Sequence, residues 1–148
     1  MYILLFVDVA PAPSTCVCTT LRMASRVVTR HYDSALAPIG LSTSSYSILS
    51  RTSREGPLPL GALAARLAMD RTTLSRELAP LVDAGLVEAE PDEHDRRKRI
   101  VALTDEGAAL VKEARPRWAR AQKELSRRFG TGRTDALMAE LHALVGAA

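Results

Sequence analysis

Aromatic side chains are scarce in this chain: two Phe, three Tyr and one Trp make up 4% of 148 residues. A core with so little ring area must be filled with Ala, Leu and Val, a filling that favours helices. Cysteine is scarcer still. Cys16 and Cys18 cannot build a disulfide framework. With one residue between them an internal bridge is strained, since bridged Cα atoms sit roughly 4.4–6.8 Å apart. Long hydrophobic runs are missing as well. Met1 to Val9 (MYILLFVDV) is apolar, but Asp8 interrupts it and it falls far short of the ~20 residues that span a bilayer. No basic leader precedes it, so neither a secretory signal nor a membrane anchor is expected and a cytoplasmic protein is the default. There is no Gly-rich phosphate loop, no His-Glu-x-x-His helix and no pair of carboxylates in an apolar setting, which removes the common enzyme signatures. Cys16-x-Cys18 combined with His31, His94 or His142 matches no usual zinc spacing, so neither a metal nor a cofactor is expected.

Charge of one sign is also lacking. Twenty Lys+Arg against 17 Asp+Glu leave a net charge of +3, too small to argue for any partner. What the chain does contain is 47% hydrophobic and 25% charged residues, the balance of one folded domain rather than a disordered chain. Lys occurs only at 98, 112 and 123, so 17 of the 20 cations are Arg, the side chain suited to forked phosphate and guanine contacts.

Along the chain, Leu21, Ala24, Val28 and Ala35 recur at helical steps from about Thr19 to the Pro38-Ile39-Gly40 break. Ser42 to Ser45 offer caps for a second helix with Tyr46, Leu49 and Ser53 on one face, and Glu55-Gly56-Pro57 ends it. Leu60 to Leu67 reads as a short helix with Leu60, Leu63, Ala64 and Leu67 inward. After the turn at Ala68-Met69-Asp70, Asp70 caps a helix from Arg71 to Ala84. Leu74, Leu78 and Leu81 share one side of it, and Thr72, Arg76 and Asp83 face away, flanked by Thr73 and Ser75. Pro80 is expected to bend it or loosen its last turn, and Gly85 suits the left-handed residue beyond its end. Leu86 to Glu90 and Ile100 to Leu103 read as two strands joined by a charged hairpin loop, Pro91 to Arg99. Thr104 caps a long helix from Asp105 to Phe129, about 38 Å at 1.5 Å per residue. Gly107, Val111, Ala114, Trp118, Ala121, Leu125 and Phe129 form a seam close to a heptad, and Pro116 is expected to kink or break it. Gly130-Thr131-Gly132 then separates a last helix, Thr134 to Val145.

A short helix, a tight turn, a second helix with a Thr/Ser/Arg face and a hairpin with a basic tip together make a winged helix-turn-helix order. Each part alone has an ordinary reading, as helix packing or as a solvated loop, but in this order they fit duplex DNA. The second helix can enter the major groove, with Arg71, Thr72, Thr73, Ser75 and Arg76 toward bases and phosphates. Arg96, Arg97, Lys98 and Arg99 at the tip can grip phosphates or place one Arg in the minor groove.

Three segments resemble the MarR family of bacterial transcription regulators: Leu63 to Arg76 (LAARLAMDRTTLSR), Leu81 to Val87 (LVDAGLV) and Asp95 to Gly107 (DRRKRIVALTDEG). The resemblance covers about residues 16–146, and the wing followed by Leu-Thr-x-x-Gly is its most specific part. It implies a mainly α fold with a small β-hairpin wing, in which N- and C-terminal helices form an intertwined dimerisation region. The implied division is an N-terminal extension at 1–18, N-terminal helices at 19–54, a winged helix-turn-helix lobe at 57–104 and C-terminal dimerisation helices at 105–148. It also implies that Arg97 is the wing arginine that enters the minor groove, that Asp95 holds the tip through an ion pair, and that a homodimer, acting as a repressor, meets a palindromic operator. Family members answer to small aromatic acids, drugs, metals or oxidants, which makes His31 and Tyr46 candidates for an effector pocket. Cys18, just before the first helix, and Tyr32 fall where the hydroperoxide-sensing branch has its reactive cysteine and a tyrosine. Arg22 and Thr43 stand where that branch has further tyrosines. A thiol beside Arg22 and a helix N-terminus is prone to ionise, and oxidation followed by a disulfide with Cys16 or Cys18 of the other subunit would pull on the dimer helices. Two other classes stay open at this point. One is a thiol peroxidase using Cys18, which lacks the expected alternation of strands and helices. The other is a winged helix used only for protein contact, which has no need of four consecutive cations.

Overall fold

The computed structural model describes residues 12–147; the apolar segment Met1 to Val9 lies outside them. Six helices and three short strands follow in the order α1 (Val17–Leu36), α2 (Thr43–Glu55), β1 (Leu58–Pro59), α3 (Leu60–Arg66), α4 (Arg71–Asp83), β2 (Val87–Pro91), β3 (Arg99–Leu103), α5 (Asp105–Phe129) and α6 (Thr131–Ala147). A single 3₁₀ turn, Ala37–Ile39, links α1 to α2. Three polar side chains set the helix starts. Ser42 accepts from the Ser45 N–H at 3.1 Å, Asp70 from Thr73 at 2.7 Å and Thr104 from Gly107 at 3.0 Å. Each satisfies a first-turn N–H that has no helical partner.

The wing carries a third strand that the residue pattern did not announce. β1 pairs antiparallel with β3, Leu58 opposite Val101, giving the order β1-β3-β2. Two residues after a Gly-Pro break are too few to show alternation, and Pro59 is tolerated because β1 is an edge strand. In the main hairpin Val87 lies opposite Leu103 and Ala89 opposite Val101. Leu58, Val87, Ala89 and Val101 all turn inward and are buried. Leu58, Val87 and Val101 close one continuous core with Leu36, Ile48, Leu49, Leu63, Leu74, Leu78, Leu81 and Val111.

Several boundaries and faces differ from the sequence reading. Val17 and Cys18 already belong to α1, and α6 begins at Thr131 rather than Thr134. Pro116 does not break α5, which runs through it, and α4 runs through Pro80 as far as Asp83. Each proline sits on an exposed face, as do Arg76 and Lys112 four residues earlier, so a carbonyl left without its N–H meets water. The buried Leu78 and Leu81, and Ala114 and Ala121, hold the two halves of each helix on the core. In α2 it is Thr52, not Ser53, that turns inward, its hydroxyl donating to Ile48 O at 2.9 Å. The chain itself covers most of the α5 seam: Gly107 lies against the strand entry at Leu86, Val111, Ala114 and Ala121 are buried, and Trp118 is half-buried. The α1 stripe, by contrast, stays largely open, with Leu21 and Ala24 exposed and only Tyr32 and Leu36 buried.

The Leu-Thr-x-x-Gly motif acquires a physical meaning here. Thr104 donates its hydroxyl to Gly85 O at 2.7 Å while accepting from Gly107. Gly85 takes φ +70, a conformation that glycine adopts without steric cost. Gly107 is pressed so closely on the strand entry that a Cβ would overlap the Leu86 carbonyl oxygen. Because that obstacle is backbone, it cannot swing aside. Gly107→Ala is therefore expected to cost about 2–3 kcal/mol and lower the melting temperature by roughly 5–10 °C. Gly132→Ala, with open space around it, is expected to leave the melting temperature unchanged or higher. Thermal unfolding followed by circular dichroism compares them, and equal melting temperatures for Gly107→Ala and the native chain would refute the packing argument.

Candidate nucleic-acid interface

Asp70 sets the start of α4. One carboxylate oxygen accepts the Thr73 N–H, and the other accepts the Thr73 hydroxyl at 2.7 Å. These two bonds hold the Asp70 carboxyl below the ordinary aspartate range. Thr73, expected at the outer face, thus spends its hydroxyl proton inside the cap. Arg71, Thr72, Ser75 and Arg76 are exposed, opposite the buried Leu74, Leu78 and Leu81. The first turn of the helix therefore offers cationic and hydroxyl groups to solvent without disturbing the core.

The wing tip is built by a residue that sequence reasoning passed over. Asp92 Oδ1 accepts the N–H groups of His94 at 2.9 Å and Asp95 at 2.8 Å. Its own N–H donates to Lys98 O at 2.9 Å. These N–H donors hold its carboxyl below the usual aspartate value. The missed signal is a familiar one: an Asp that opens a turn and takes the N–H groups two and three residues on. Asp95 Oδ1 accepts from Arg97 N at 3.2 Å, and its other oxygen lies 3.9 Å from Lys98 Nζ. So open an ion pair is worth little. The tip is shaped by main-chain bonds more than by charge pairing.

The four wing cations are not equivalent. Arg99 opens β3 and donates to Ala89 O at 2.7 Å, which ties it to the sheet. Arg96 and Arg97 are exposed at the loop. Arg97, Lys98 and Arg99 line one wall of a cleft of about 380 Å³, and its other walls are Pro59 to Ala62, Arg71 and Ser75. The helix start and the wing thus converge on one open basic groove, with no carboxylate among its lining residues. Arg76 and Arg96 are not among those residues.

The thiol candidates lie elsewhere. Cys16 and Cys18 are exposed, Cys16 at the N-cap of α1 and Cys18 within its first turn. The Cys16 side chain closes no full capping bond, yet the Thr19 hydroxyl and N–H that face it draw its thiol below the ordinary range. Tyr32 is not with them. Fourteen residues of helix separate it from Cys18, about 21 Å. It is buried against α5, donating to Gln122, and burial pushes its phenol up.

The two effector candidates line different clefts. His31 bonds through Nε2 to Ala121 O at 2.8 Å and borders a cleft of about 360 Å³ with Arg117, Arg120 and Glu124. Tyr46 packs on Trp118, ring centroids 6.1 Å apart, beside a cleft of about 260 Å³ with Thr43, Ser47, Ser50, Arg51 and Arg54. Among the described residues no three His, Cys, Asp or Glu side chains gather as a metal site, and no helix is long and apolar enough to cross a membrane.

Residues 39–98 match the model of the MarR family. An uncharacterised helix-turn-helix transcriptional regulator of Mycobacterium bovis is 37% identical over 92 residues, 62% of this chain and 62% of that one. The chain spans 52% and 62% of the length of two such curated mycobacterial relatives. Among solved structures, the Mycobacterium tuberculosis transcriptional regulator MosR in complex with DNA is 34% identical, with 89% of this chain and 97% of that chain aligned at a TM-score of 0.78. A cysteine-to-serine mutant of Escherichia coli MarR bound to operator DNA shares the fold, at 22% identity and a TM-score of 0.78 over 86% of this chain and 92% of that one.

The Asp92 turn makes a pH-dependent statement. A carboxyl held below its ordinary value of 3.8 keeps the tip intact above that pH and releases it only as the pH falls below. Asp92→Ala is expected to speed amide hydrogen exchange at His94 and Asp95 by roughly tenfold at neutral pH, with Leu74 and Val101 unaffected. The protection of the native tip, measured against intrinsic exchange at the same pH, should fall only as the pH drops below 3.8. Unchanged exchange at His94 and Asp95 in the variant would show that other contacts shape the loop.

Proposed function

The chain belongs to the MarR family, and from that premise we propose that it is a homodimeric, sequence-specific duplex-DNA-binding regulator of transcription, acting as a repressor. The observation that carries this reading is the basic groove shared by the start of α4 and the wing. Residues 57–104 form the DNA-binding lobe. Thr72, Ser75 and Arg76 face the major groove, with Arg71 and Thr73 at its edge. Arg97 reaches toward the minor groove while Arg96, Lys98 and Arg99 meet phosphates, Asp95 shaping the tip.

Residues 19–54 and 105–148 supply the dimer. Within one chain α6 buries none of its residues. Leu137, Met138, Leu144 and Val145 are 42–68% exposed, and Val17, Leu21 and Val27 on α1 are 36–65% exposed. Apolar surface left open on both terminal helices supports their covering by a second copy. Two-fold symmetry then matches a palindromic operator with half-sites about one helical turn apart.

DNA affinity is modulated by a small ligand or by cysteine oxidation. The His31 and Tyr46 clefts combine ring or apolar walls with arginines, a lining suited to a small aromatic acid. For oxidation, the structure supports Cys16 as the thiolate: a peroxide takes it to the sulfenic acid and is itself reduced, and a thiolate from the other subunit then displaces hydroxide to close a disulfide. Tyr32, far along α1, has no part in that step within one chain.

Two experiments test the reading. Duplex binding measured by fluorescence anisotropy is expected to weaken roughly a thousandfold between about 50 and 200 mM salt. Arg97→Ala should cut affinity for every sequence by about tenfold and flatten the salt slope by about one. No binding to any duplex at low salt would reject the regulator reading in favour of a protein-contact module. Separately, iodoacetamide labelling of the reduced protein near neutral pH is expected to lose its faster phase in Cys16→Ser and keep it in Cys18→Ser; the reverse result would move the reactive thiol to Cys18.

A further inference from the structure

Gly61 is the second residue of α3, inside a helix, where glycine is less stabilising than alanine. Its φ lies outside the left-handed region, so the backbone itself does not ask for glycine. What a side chain at this position would meet is a single group. The three atoms nearest to a Cβ on Gly61 all belong to the Arg71 guanidinium, with Nη2 at 2.9 Å, Nε at 3.1 Å and Cζ at 3.2 Å. Arg71 is the first residue of α4, and among the described residues its guanidinium makes no ion pair. The bare backbone of α3 therefore limits where the group sits, beside Ser75, Arg97, Lys98 and Arg99 in the basic cleft.

We propose that Gly61 is a positioning residue for DNA recognition: the missing side chain seats the Arg71 guanidinium against α3, aimed into the cleft where the duplex enters. The inference rests on the DNA-binding reading above. A free arginine loses rotamer freedom when it takes up a forked contact, and a guanidinium already seated loses less. A methyl group at position 61 removes the seat without harming the helix, because the atoms it displaces are the far end of a flexible side chain.

Gly61→Ala is expected to melt at the same temperature as the native chain or higher. In the free protein, the Arg71 Nε–Hε signal in a ¹H–¹⁵N spectrum should move to the position and intensity of a mobile arginine. Affinity for a duplex recovered by repeated selection from a random-sequence pool should fall by roughly five- to tenfold. In an Arg71→Ala background, adding Gly61→Ala should change nothing further, a result that a merely structural role for Gly61 would not give. If a mixed-sequence duplex loses as much, the seated group meets phosphate; if only the selected duplex does, it meets a guanine edge. An Nε–Hε signal unchanged by Gly61→Ala, or an equal loss in both backgrounds, overturns the proposal. A native protein that binds no duplex overturns the DNA reading and this role with it, while the spectrum still judges the seat on its own.

Discussion

Between the exposed face of α4 and the long helix α5, the chain reverses twice, and both reversals hang on one close approach. The first turn of α5 rests on the carbonyls of Gly85 and Leu86. Thr104 donates its hydroxyl to the first and its N–H to the second, at 2.7 and 3.2 Å, and Gly107 leaves room for the contact. This contact fixes the base of the hairpin, so that Val87 meets Leu103 and the register runs out to Pro91 opposite Arg99. A slip by one residue would turn Val87, Ala89 and Val101 outward and expose the core they close. The position of the wing relative to α4 is therefore a consequence of packing at the foot of the sheet, some five residues away from the cations it carries.

The modest net charge conceals a strong local arrangement. Acidic groups near the wing do not neutralise the cations so much as shape the chain that bears them. Asp92 takes two main-chain N–H groups, Asp95 takes another, and Asp70 does the same for the start of α4. A carboxylate engaged by backbone donors has less of its charge to offer a neighbouring guanidinium, and among the described residues the one wing ion pair, Lys98 with Asp95, is long and open. The groove is left lined by Arg71, Arg97, Lys98 and Arg99. Summed over the chain the charges leave only +3, whereas the lining of the groove carries four cations and no carboxylate.

Much of this was legible in the residues because it depends on local chemistry. Ser42, Asp70 and Thr104 announce helix starts through the hydrogen bonds that their short side chains make, and Leu74, Leu78 and Leu81 announce a buried face by their spacing. What escaped depends on distant partners. β1 is recognisable only through β3 and Gly61 only through a guanidinium ten residues on, whereas Asp92 carries a local signal in the N–H groups two and three residues beyond it. The prolines are accommodated for a physical reason. Pro80 and Pro116 weaken a helix by themselves, but burial on the opposite face outweighs one lost hydrogen bond when the freed carbonyl meets water. The apolar character of the α5 seam is legible from its period, but period alone does not say that the chain itself buries Val111, Ala114 and Ala121 while Phe129 stays exposed. Within one chain the rise of α1 keeps Tyr32 far from Cys18, so a meeting of the two is a matter between subunits.

The polar bonds that join α1, α2, α4 and α5 explain which parts of the chain behave as one body. Asp33 of α1 accepts both the N–H and the hydroxyl of Thr43, at 2.7 and 2.6 Å. The next residue, Ser44, donates to Glu77 of α4 at 2.9 Å. Below them His31 and Tyr32 bond to Ala121 and Gln122 of α5, and Tyr46 lies on Trp118. Thr43 and Ser44 are consecutive, so the first turn of α2 bridges α1 to α4 with no freely rotating segment between the two bonds. A displacement of α1 must either carry α4 with it or break hydrogen bonds in a partly buried setting, where a broken bond costs more than in water. The terminal helix α6 is under no such constraint, since none of its residues is buried in the chain. The easy degrees of freedom thus lie in α6, while α1, α2, α4 and α5 are tied together by these bonds.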